Sequence, residues 1–139
     1  MPDVADIGPG PHLSRWFEIP QARIDAFAEA TDDRQAIHLD PAASPYGGAV
    51  AHGFLTLSLL SAMAYDAVPV TAERMGINYG FDRVRFVAPV LAGARVRGRF
   101  RCVATEAAGG MTALAWDVEV EIEGGEGPAL VARWLTRLA

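Results

Sequence analysis

Val50-Ala51-His52-Gly53-Phe54-Leu55-Thr56-Leu57-Ser58-Leu59-Leu60-Ser61-Ala62-Met63-Ala64 contains no Asp, Glu, Lys or Arg. Its apolar residues recur on every face that a helical repeat would generate, the mark of a helix enclosed by other structure. The charge-free stretch spans 41–65, which raises the question of a membrane span. Pro41, Pro45, Gly47, Gly48 and His52 interrupt it, and the helix-like remainder falls short of the roughly 20 residues a span needs. The segment therefore reads as the central helix of a folded core.

Outward from this helix the pattern changes on both sides. Beyond Gly76, the runs 84–87, 94–104, 112–122 and 129–138 alternate or are rich in β-branched residues, and Pro89, Gly93, Gly109-Gly110 and Gly124-Gly125 separate them. They predict a sheet of at least four strands, largely antiparallel. Upstream, 1–12 carries Pro2, Pro11 and two glycines and is expected to be an irregular tail, and Trp16-Phe17-Glu18-Ile19 suits a short strand. Ile24, Phe27 and Ala28 then recur at helical spacing after Pro20, predicting an amphipathic helix over about 20–30. Residues 31–49, polar and turn-forming, read as a long loop of the kind that carries function, with Asp40-Pro41 as a cap and first turn. The expected fold is α+β, one domain over 1–139, with the sheet curling around the central helix.

Composition narrows the function classes. The chain has 139 residues, 51% hydrophobic, and no low-complexity or repeated segment, which argues against disorder and solenoids. A net charge of -5 argues against nucleic acid as a partner. Cys102 is the lone cysteine, and the N-terminus lacks the basic-then-apolar pattern of a signal peptide, which together favour a reducing cytoplasm. Arg95, Arg97, Arg99 and Arg101 alternate with Val96, Gly98, Phe100 and Cys102, placing the arginines on one strand face that is expected to be solvated.

Two separated blocks carry a family resemblance: Thr31-Asp32-Asp33-Arg34-Gln35-Ala36-Ile37-His38-Leu39-Asp40-Pro41, and Tyr46-Gly47-Gly48-Ala49-Val50-Ala51-His52-Gly53-Phe54-Leu55. In order and spacing they resemble the signature of the MaoC-like dehydratases, the (R)-specific enoyl-CoA hydratases. A third block, Ile77-Asn78-Tyr79-Gly80-Phe81-Asp82-Arg83-Val84-Arg85-Phe86, is similar to the branch related to nodulation protein N. The resemblance implies a hot-dog fold, commonly a homodimer, that reversibly adds water across a 2-enoyl thioester. It also implies that Asp33 and His38 are the catalytic pair, that CoA or carrier protein bears the substrate, and that neither a cofactor nor a metal is required. The chain departs from the family pattern at Asp32, where Gly is usual, and at Gln35-Ala36, where Asn-Pro is usual.

The chemistry agrees with that assignment. Hydration needs one group to take a proton from water while the carbon α to the thioester receives one, and a carboxylate and an imidazole sharing a water can do both. Charge developing on the thioester oxygen needs a donor, which the backbone N–H of Gly53 at the start of the central helix would supply, with no Cβ to obstruct the approach. His52, beside Gly53, is expected to position the helix start, the alternative being that it reacts with the substrate itself. Ser58 matches a serine near the carboxylate in related hydratases, or is an ordinary packing serine. Tyr46-Gly47-Gly48 forms either a flap of the acyl pocket or a plain turn. Arg83 and Arg85 are candidates for phosphate contacts. The rival functions are a hot-dog thioesterase, which commonly carries its carboxylate on the central helix, where 50–65 has none, and an acyl-binding subunit without catalysis.

Overall fold

The structure, a computed structural model, describes residues 4–139. Residues 1–3 of the expected tail lie outside the described residues; the rest of it is partly ordered, with a 3-10 turn at Val4–Asp6 and strand β1 at His12–Leu13. Strand β2, Phe17–Glu18, lies within the expected run, and both short strands pair antiparallel with β4, Arg95–Ala108. Helix α1 covers Gln21–Thr31 and buries Ile24 and Ala28, two of the three residues that predicted it.

The loop 31–49 is less irregular than its composition suggests. It contains the short helix α2, Ala36–Leu39, and a 3-10 turn at Pro41–Ala43, where the Asp40 carboxylate accepts from the Ala42 N–H at 3.0 Å, the cap expected of Asp40-Pro41.

The central helix starts at Gly53 rather than Val50 and is two segments, α3 at Gly53–Ser58 and α4 at Leu60–Ala67. Residues 49–51 are instead drawn into extended pairing with the segment before β4: Ala51 N–H donates to Val90 O at 2.7 Å and Ala92 N–H to Ala49 O at 2.9 Å. A single turn, α5 at Val70–Glu73, follows.

The sheet is six-stranded and antiparallel, in the order β1-β4-β5-β6-β3, with β2 also on β4. Strands β5 (Met111–Ile122) and β6 (Pro128–Leu138) match expectation, whereas β3 begins at Gly76, well before the expected 84–87. Register shifts between Asn78 and Gly80 and between Phe81 and Arg83 bend β3 along β6, and such irregularity hides a strand from period-two reading. Inward residues of β4, β5 and β6, among them Val96, Phe100, Trp116, Val120, Leu130 and Trp134, pack with Leu55, Leu60 and Met63 of the helix. Gly98 makes this packing possible, since a Cβ there would lie 3.0 Å from the Met63 Cβ.

This is the hot-dog arrangement, a helix held in a curled antiparallel sheet. One chain covers one side of the helix; Phe54, Ser58 and Tyr65 on its other face are exposed. No helix among the described residues is long and apolar enough to cross a membrane.

Candidate active site

Three elements converge beside the helix start. Chain reversal after α1 passes through Asp32, whose φ of 61 places it in the left-handed region, and Asp33 follows it. Helix α2 then presents His38, and the Val50 N–H, donating to Ile37 O at 2.9 Å, ties α2 to the segment entering α3.

His38 is 7% exposed. Its Nδ1 lies 2.6 Å from the carbonyl oxygen of Val50, and a carbonyl only accepts, so Nδ1 carries the hydrogen. In the neutral ring Nε2 is then a bare lone pair, and it faces Asp33 Oδ2 at 4.0 Å. That gap is too long for a direct hydrogen bond and suits a bridging water. The Asp33 side chain is 49% exposed, and its Oδ1 makes one long contact, 3.4 Å from the Gln35 N–H.

His52 sits directly behind this pair. It is 2% exposed, its ring stacks on His38 with centroids 3.8 Å apart and planes 20° from parallel, and its Nε2 lies 2.9 Å from the Asp33 carbonyl oxygen. Phe27 of α1 covers another side of the ring, centroids 4.9 Å apart. Asp33, His38 and His52 bring ligand-type atoms within 4.8 Å of one another, yet the arrangement makes a poor metal cage. An imidazole binds a metal in its own ring plane, and the planes of two stacked rings do not meet at a common point nearby.

A cleft of about 420 Å³ opens in front, lined by His38, Tyr46, Gly53, Phe54, Phe86 and Val90 among others. The structure thus brings His38, Gly53 and Tyr46 to one cavity and sets Asp33 opposite His38. Gly53, first residue of α3, has no intrahelical partner for its N–H. A Cβ at Gly53 would meet the Phe86 ring at 2.9 Å, so it is this ring that the missing side chain admits. Sequence reasoning missed Phe86 as a wall residue, since in the linear pattern it is one apolar residue of a strand.

The other candidates lie elsewhere. Ser58 donates to Leu55 O at 2.7 Å and lines a neighbouring groove of about 230 Å³, which shares Phe54 with the cleft. Gly47, at φ 84, is a turn glycine. Arg83 is on the outer face of the sheet, in a groove with Arg99, Arg101, Asp117 and Arg133, and Arg85 is exposed farther along β3. Asp32 directs its carboxylate to Arg34, 3.1 Å away, rather than crowding Asp33.

Known proteins resemble the chain in sequence and in fold. The chain is 54% identical over 130 residues to "Nodulation protein N" of Rhizobium meliloti, covering 88% of this chain and 80% of that one. It is 43% identical over 128 residues to "3-hydroxyacyl-thioester dehydratase Z" of Mycobacterium tuberculosis, covering 89% and 85%. Its fold matches that of the (R)-hydratase from A. caviae involved in PHA biosynthesis, with a TM-score of 0.77, 22% identity, and 96% and 98% of the two chains covered. The profile of the MaoC like domain matches residues 3–122, and the chain belongs to that family.

Proposed function

We propose that the protein catalyses the reversible, (R)-specific hydration of a 2-enoyl thioester to a 3-hydroxyacyl thioester, with the acyl group on CoA or a carrier protein. The observation that carries this reading is the 4.0 Å separation of Asp33 Oδ2 from the Nε2 of His38, the member of the pair that lines an apolar cleft. Asp33 as a carboxylate and Nε2 as a lone pair are both acceptors, so a water between them donates a hydrogen to each. Its oxygen bonds to C3 of the substrate and one of its protons ends on C2, carried there by the pair, so the reaction exchanges no net proton. The Gly53 N–H is the proposed donor to the thioester oxygen as charge gathers there. No cofactor enters this chemistry, because the thioester itself activates C3.

The proposed working unit is a homodimer. Supporting it, β3 is an outermost strand with Ile77, Tyr79 and Phe81 exposed, beside the uncovered helix face that includes Phe54. Against a thioesterase, the first carboxylate on the central helix is Asp66, which accepts from the Arg15 N–H at 2.6 Å, at the end of α4 away from the cleft.

The test is an enoyl-CoA assay read in two channels. Loss of enoyl absorbance without free thiol supports hydration; free thiol supports a thioesterase, and silence in both supports a binding subunit. His38→Ala is expected to lower turnover by about 10²–10⁴-fold.

A further inference from the structure

We infer that His52 is a positioning residue for the proposed reaction: it holds the Asp33 carboxylate and the His38 ring in register through the Asp33 main-chain carbonyl and the ring stack. This rests on the hydratase reading above.

The Nε2 of His52 lies 2.9 Å from the Asp33 carbonyl oxygen, so it carries the hydrogen and donates. Nδ1 is then a lone pair, and it is buried with no hydrogen-bond partner among the described residues. An unpartnered buried polar atom costs free energy. A ring needed only to fill space between Phe27 and His38 would be cheaper as a phenyl, which has no such atom. What the imidazole adds over a phenyl is the N–H to Asp33.

That bond falls where the site is otherwise loose. The Asp33 side chain is half exposed, and among the described residues it has only the long 3.4 Å contact to the Gln35 N–H besides its approach to His38. Asp33 also follows a left-handed residue at the end of a helix, so local pairing does little to fix its backbone. His52, by contrast, is anchored: its carbonyl receives the Leu55 and Thr56 N–H groups that begin α3. One buried residue thereby ties the helix start, the Asp33 turn and His38 together.

The experiment compares His52→Gln with His52→Met, side chains of like length of which only Gln keeps a donor, with His52→Phe keeping the ring and not the donor. Thermal melts establish folding, and kcat and KM are measured on crotonyl-CoA. A displacement of about 1 Å at a reacting group costs on the order of 10²-fold in rate. His52→Phe and His52→Met are therefore expected to lose about that much in kcat with KM little changed, and His52→Gln to exceed His52→Met by about tenfold or more. Equal kcat for Gln and Met overturns the inference, as does wild-type kcat in His52→Phe. Loss in His52→Gln as deep as in His38→Ala also overturns it, because His52 would then itself be reacting. A wild-type protein without hydration activity sinks the proposed function instead. The inference is then decided by NMR: the His38 ring nitrogens and the amides of 33–38 should shift in His52→Met and hold in His52→Gln, and no shift in either refutes it.

Discussion

At the scale of single residues, the backbone accounts for two departures from the family pattern, Asp32 and Ala36; nothing in the structure explains Gln35. Asp32 occupies a left-handed position, where Gly is the residue without steric penalty and Asp is among the few others tolerated. Ala36 is the first residue of α2, a position Pro suits because its missing N–H has no helical partner to lose. The family's Gly and Pro are thus replaced where conformation, not chemistry, selected them. Asp33→Asn is accordingly expected to abolish hydration while Asp32→Asn leaves it within about twofold; the reverse outcome would refute the assignment of Asp33. Thermal unfolding separates the backbone effect: Asp32→Gly should stay within about 0.5 kcal/mol of wild type. Asp32→Val, β-branched at positive φ, should lose about 1–2 kcal/mol.

At the scale of elements, what matters is how α1, α2 and α3 are clasped around the site. Arg34 closes the end of α1 by a two-pronged contact with Glu29, at 2.7 and 2.9 Å. Hydrogen bonding to Arg34, and then its charge, hold the Glu29 carboxyl below its ordinary range. A carboxylate with a depressed folded-state pKa stabilises above its unfolded pKa and loses that contribution as pH falls through the folded value. Glu29→Gln should therefore lower the melting temperature slightly at neutral pH, and melts on acidification should show the gap closing. The start of α3 depends on a different contact, Gly53 against the Phe86 ring. Gly53→Ala is expected to cost about 1–3 kcal/mol through overpacking. In a Phe86→Ala background most of that cost should vanish, a coupling that a double-mutant cycle on denaturant unfolding measures.

At the scale of the whole molecule, the sheet has two faces of opposite character. Inside, the apolar residues of β4, β5 and β6 form the core. Outside, the arginines of β4 stand opposite acids of β5: Arg97 against Glu121, Arg99 against Glu119, Arg101 against Asp117. Arg97 reaches Glu121 at 2.8 Å, and Arg95 reaches Glu123 at 3.0 Å. The Arg95–Glu123 pair, with both side chains nearly half exposed, is screened and contributes little, so Arg95→Ala should cost less than about 1 kcal/mol by denaturant unfolding. The edge is different, because Tyr79, 62% exposed on β3, belongs to the surface proposed to meet a second copy. Tyr79→Asp is expected to shift the protein from dimer to monomer in sedimentation experiments; an unchanged dimer would put the interface elsewhere.

Sheet, core helix and candidate pair were legible in the sequence because each rests on local information: alternation over a few residues, helical spacing, and two motif blocks. The pairing of charges on the outer face was not. Gly109-Gly110, both at positive φ, form the two-residue turn that brings Ala108 opposite Met111. Counting back from that turn alone would set Arg101 against the inward-facing Val118. A register shift between Cys102 and Ala104 restores Arg101 to Asp117, and nothing in the linear pattern marks it. Nor could the sequence disclose the hold of His52 on Asp33, nineteen residues apart. Composition and spacing determined which groups were available for chemistry. Their distances came from chain reversal at Asp32 and packing against a sheet whose register is settled across strands, which only the folded chain decides.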